Sequence, residues 1–147
     1  MKKPVALKAI QSLLILLFTY AAVSKLFEFN AFRGQLSAVP WLSKISNFLS
    51  LTIPLTELII VMLLTVPKTV KRGLYSAAIM LTAFTLFLTM MISFNTALPC
   101  SCGGVISSLS WKQHIVFNLF FLALAIGGIF LEKRLKCNDH MKFIKPG

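Results

Sequence analysis

Charge of one sign is nearly missing from this chain: four acidic residues stand against fifteen Lys and Arg, leaving +11 over 147 residues. Internal repeats and low-complexity tracts are absent, which excludes the repeat architectures. Cysteine is scarce, with three in all, so no dense disulfide framework holds a fold together. No polar stretch is long enough for a separate soluble domain. The basic excess does not read as nucleic-acid binding. Its Lys and Arg lie beside apolar runs, without the interleaved aromatics that a nucleic-acid face needs.

What is present is apolar. Hydrophobic residues make up 57% of the chain, with a mean hydropathy of +0.83, where globular proteins run at about 45–50%. The excess gathers in four runs, about residues 7–27, 47–66, 74–94 and 113–131. Roughly 20 apolar residues cross a bilayer core of about 30 Å. The expectation is one integral membrane domain over residues 1–147, all-α, folded as an up-down bundle of four transmembrane helices. The first run follows Lys2 and Lys3, as a secretory leader would. It is longer than a leader's apolar core, and Ala21-Ala22-Val23-Ser24 is a poor cleavage site, so a retained helix is expected.

The basic residues orient the bundle. Lys2, Lys3 and Lys8, then Lys68, Lys71 and Arg72, then Lys133, Arg134, Lys136, Lys142 and Lys145 fall on one side. Only Lys25, Arg33, Lys44 and Lys112 fall on the other. The richer side belongs in the cytoplasm, with both termini. It also suits contact with anionic lipid heads. The connection from Glu28 to Ser46 then faces outward. It is amphipathic, with Phe29, Phe32, Leu36, Val39, Trp41, Leu42 and Ile45 set among Arg33, Gln35 and Lys44. A short interfacial helix broken at Pro40 is expected there. Ser110-Trp111-Lys112-Gln113 fits a capping box opening the fourth helix.

The second outward loop carries Pro99-Cys100-Ser101-Cys102-Gly103-Gly104. Thiols at i and i+2 bridge only if the chain bends, and Pro99, Ser101 and the two glycines supply the bend. So tight a ring is strained, and strained disulfides exchange readily. A small loop also gains little stability from a bridge, which weakens a purely structural role. Three uses stay open: thiol–disulfide exchange, a soft-metal site for copper(I) helped by Met90 and Met91, and an inert pair. Cys137 falls in the cytoplasmic tail, beyond reach of the loop.

Few polar groups interrupt the spans. Glu57 falls mid-helix beside Pro54, where a charge costs about 2.5–3.5 kcal/mol on insertion scales. Counting 1.5 Å per residue puts Glu57 roughly 16 Å below the outer start of its helix, and Lys25 about 3 Å from the outer end of its own. On that count Lys25 snorkels to the surface and Tyr20 reaches Glu57. Glu57 then either handles protons or simply fixes packing. His114 and Asn118 share a helix face at i, i+4. His114 sits at the depth of the cysteine loop and is placed to move a proton during exchange.

These residues resemble the MauE branch of the DoxX-like membrane proteins, redox-associated four-helix proteins of bacteria. The likeness rests on Ser24-Lys25-Leu26 with Phe29, Phe32-Arg33 and Gln35-Leu36, and on Pro54 with Glu57. Its strongest part is the Pro99–Gly104 loop followed by Ser110-Trp111, Gln113-His114 and Phe117-Asn118. The resemblance implies a bacterial inner-membrane protein that serves redox maturation of exported proteins. Cys100 and Cys102 would exchange electrons, with His114 assisting and Lys25, Glu57 and Asn118 supporting. Implied partners are the lipid bilayer and a periplasmic thioredoxin-like protein or exported client, without nucleic acid. A similar layout in quinone-linked disulfide oxidases such as DsbB suggests a quinone cofactor. Those enzymes relay electrons through a second cysteine pair, which this chain does not place outside. The rival expectations are a copper(I) module and a non-catalytic subunit of a membrane redox complex.

Overall fold

A computed structural model describes residues 4–93 and 111–144. The Cys100–Cys102 loop and the Ser110 cap lie outside the described residues. The described chain is all-helical: α1 (Val5–Phe27), α2 (Phe29–Ser37), a 3-10 turn (Ser43–Ile45), α3 (Ser46–Thr65), α4 (Val70–Ser93) and α5 (Trp111–Ile144). Four segments are long and apolar enough to cross a membrane: Val5–Phe27, Ser43–Thr65, Val70–Met90 and Gln113–Leu135. These are the four runs expected, with shifted ends. α4 starts earlier because Lys71, Arg72 and Gly73 already join its first turn. α5 continues to Ile144 because no Pro or Gly interrupts Glu132 to Ile144. At 1.5 Å per residue it is longer than a bilayer core is thick.

Each long helix buries one narrow stripe. In α1 it is Leu7, Leu14, Phe18, Ala22 and Lys25. In α3 it is Ser46, Ser50, Pro54, Glu57, Ile60 and Leu64, steps of three and four residues. The opposite faces expose large apolar side chains, among them Leu16, Phe48, Ile79 and Phe120. A water-soluble fold would hide these groups. Here the stripes turn Lys25 and Glu57 inward while large apolar side chains face out, as hydrocarbon solvent demands.

α1 packs against α3 and α5, and α4 packs against α3 and α5, closing a ring of four. Neighbours run antiparallel. Late α1 meets mid α3 at Lys25 and Glu57, while early α1 meets late α3 where Gln11 Nε2 donates to Leu64 O at 3.1 Å. Phe84 of α4 meets His114, and Leu74 meets Gly128.

The turn between α3 and α4 is tight. A Cβ on Gly73 would come within 2.9 Å of the Leu64 backbone nitrogen, so only glycine permits this crossing. The carbonyls that α3 leaves unpaired at its end are met from outside the helix. Thr69 Oγ1 donates to Leu63 O at 2.9 Å, and Gln11 serves Leu64. Around this turn the interior is mainly apolar, built on Leu7, Leu14, Leu64, Leu74, Ala77, Ala125 and Ile129, with Glu132 of α5 also buried, at 8% exposure.

The other end is capped. After α1 the chain reverses at Glu28, whose N–H donates to Ser24 O at 3.0 Å. α2 and the following segment turn Phe32, Leu36, Val39 and Leu42 inward against Leu49, Ile53 and Phe87. Trp41 meets Phe87 edge-on at 6.3 Å. The amphipathic connection is therefore a lid with its apolar side on the bundle. Its helix ends at Ser37, ahead of Pro40, as the proline requires.

Candidate functional site

Beneath the lid lies the buried polar cluster. Lys25 Nζ and Glu57 Oε1 form an ion pair at 2.6 Å, with Lys25 8% and Glu57 5% exposed. This overturns the expectation that depth keeps them apart and that Lys25 snorkels to the surface. Counting residues assumed that α1 ends level with the start of α3. It does not, because the first turns of α3 rise beside the lid, where Leu49 and Ile53 pack on it. α1 thus ends near the depth of mid α3, and the long lysine stem spans the rest. Tyr20, the partner expected for Glu57, is 36% exposed, and the bond Glu57 makes is to Lys25.

Neither charge is cheap to bury. The pair holds because each ion compensates the other away from bulk solvent. Lys25 also reaches Ala21 O at 3.4 Å, a weak contact. Two rings flank its ammonium: Phe32 of the lid at 5.9 Å and Phe84 of α4 at 6.0 Å from their centroids. Both are at the outer limit for cation–π attraction, worth about 0.5–2 kcal/mol each.

Phe84 continues the cluster to α5, since its ring lies 5.7 Å from the His114 ring, tilted by 46°. Asn118, one turn further along that face, is 4% exposed. Phe84 thus stands between Lys25, which is paired with Glu57, and His114, with the buried Asn118 one turn further along α5. Within this cluster two polar atoms are left over. Glu57 Oε2, an acceptor, and Asn118 Nδ2, a donor, have no hydrogen-bond partner among the described residues.

The spacing of His114 and Asn118 pointed to a shared face, and that face turns inward. Phe32 was marked as an apolar residue of the amphipathic connection but not as a neighbour of Lys25, and Phe84 had no signal of its own in a chain with thirteen phenylalanines. Ser46 and Ser50, both buried on the α3 stripe, were equally unmarked. Their hydroxyls donate to their own helix region, at Ser43 O and Asn47 O. Cys100 and Cys102 lie outside the described residues. Of the two methionines expected to help bind copper(I), Met90 is 49% exposed on α4, and the side chain of Met91 lies outside the described residues.

Four apolar helices around a buried ion pair define a multi-pass helical membrane protein. A protein-family model described as Methylamine utilisation protein MauE matches residues 3–131, and the chain belongs to that family. No curated protein and no solved structure matches it.

Proposed function

We propose that this protein carries out thiol–disulfide exchange for exported proteins, through Cys100 and Cys102, at the outer face of a bacterial inner membrane. The observation that carries the reading is the Cys-Ser-Cys loop itself, lying inside the stretch matched by the MauE family. The excess of Lys and Arg on the other side supports the outward placement. The charge bias equally supports cytoplasmic termini.

The step is a balanced exchange. A thiolate of a thioredoxin-like partner or client attacks one sulfur of the Cys100–Cys102 disulfide, giving a mixed disulfide and a free thiolate on the other cysteine. The partner's second thiol resolves the mixed disulfide. The partner leaves oxidised by two electrons, and the cysteine pair is left reduced. The reverse sequence reduces the partner. His114, in the first turn of α5, takes up or returns the proton as thiol and thiolate interchange. The buried Lys25–Glu57 pair holds α1 and α3 in register, with Asn118 of α5 buried nearby on the His114 face. Lys25 and Glu57 are closed off and committed to each other, so they do not fit a quinone ring between them.

Differential thiol labelling in intact cells tests the reading. Expected are a Cys100–Cys102 disulfide in the wild type, labelling after mild reduction, and mixed disulfides trapped by Cys100→Ser or Cys102→Ser. A pair that stays reduced in an oxidising compartment would sink the reading and favour copper(I) binding. Unchanged client oxidation in Cys100→Ser would favour a non-catalytic subunit.

A further inference from the structure

Glu57 and Asn118 are each at least nine-tenths buried, and each leaves a polar atom without a partner among the described residues. In hydrocarbon surroundings one such atom costs several kcal/mol. The two leftovers are complementary. Glu57 Oε2 accepts and Asn118 Nδ2 donates; Glu57 holds Lys25, whose ammonium faces Phe84, and Phe84 meets His114, one turn before Asn118. A molecule that both donates and accepts satisfies them together. Water does so with the least volume, and buried water is held where two to four polar partners converge. Lys25 adds a further donor to the cluster, and the His114 ring beside Phe84 adds a group able to give or take a proton.

We propose that the Lys25–Glu57–His114–Asn118 cluster is an internal water site of the membrane bundle, in which ordered water joins Glu57 Oε2 to Asn118 Nδ2. The site makes the capped end of the bundle a place of proton exchange inside the membrane. His114 extends the polar line towards the start of α5, and the fully buried Ser50 extends it along α3. The inference stands on the bundle geometry and not on the cysteine reading, so either can fail alone.

Proton-detected solid-state NMR of the full chain in phosphatidylethanolamine–phosphatidylglycerol bilayers tests it, by magnetisation transfer from water. The expected result is transfer to Asn118 Nδ2 and Lys25 Nζ, with none to the backbone amide of Ala125, which is fully buried in the apolar interior. Asn118→Leu should lose the transfer at Lys25. If that variant fails to fold, the wild-type contrast between Asn118 and Ala125 still decides. Transfer to neither site, or to both alike, overturns the proposal. So do persistent cross-peaks from the cluster to a co-purified lipophilic molecule, which would make the occupant organic.

Discussion

The two ends of the bundle solve one packing problem in opposite ways. At the capped end the stripes of α1, α3 and α5 carry Lys25, Glu57 and Asn118, under a lid of Phe32, Leu36, Val39 and Leu42. At the turn end the same helices carry Leu7, Leu64, Ala125 and Ile129, drawn together at Gly73 and Gly128. In a bilayer, apolar side chains gain little from leaving lipid for a protein interior. Close fit and polar contacts must supply the association. The turn end relies on fit, and the capped end relies on charge. Charge is the costlier choice unless it serves chemistry or specifies register.

The contrast is broken most sharply by Lys25→Met, which leaves Glu57 buried without its counter-ion. The expected loss is about 3–5 kcal/mol, read as easier unfolding by dodecyl sulfate in mixed micelles, followed by circular dichroism. Adding Glu57→Leu should recover most of that loss, because an apolar pair of similar volume replaces the ions. If the double variant stays as weak as the single one, the stretch is held by something other than the pair. At the turn end, Leu74→Ala removes a fully buried side chain that touches Gly128. A loss of about 2–3 kcal/mol is expected from the cavity, in the same assay. No second substitution of opposite charge could restore it, which is what separates the two ends.

The fold was legible because the bilayer leaves few alternatives. Four apolar runs with a charge bias admit little besides a four-helix bundle, and the described helices match them. The Lys25–Glu57 pair was illegible for a definite reason. Residue counting measures depth along each helix from its own end, and only the lid shows that those ends are staggered. α2 itself was legible as amphipathic, while its choice of bundle over open interface depends on Phe87 and Ile53, far away in sequence. His114 and Asn118 could be paired from spacing alone. The meeting of His114 with Phe84 could not, since nothing in α4 marks that phenylalanine from its neighbours.

The adjacent glycines of α5 sharpen the role of fit at the turn end. A Cβ on Gly128 would lie 3.0 Å from Leu74 Cδ2 and 3.2 Å from Ile10 Cγ2. Leu74 can swing its tip aside, but the β-branched Ile10 is stiff at χ1. Gly128→Ala is therefore expected to cost about 1 kcal/mol, the low end of overpacking. A Cβ on Gly127 meets nothing within 4 Å. Alanine there keeps the helical backbone and loses less chain entropy on folding, so Gly127→Ala should gain up to about 1 kcal/mol. The same unfolding assay ranks the two. Opposite signs at neighbouring positions would show that α5 is held at this end by closeness to α1 and α4, and not by the helical preference of its own chain. Equal gains would mean that the interface gives way at no cost, and that the polar pair at the other end alone sets the register of the bundle.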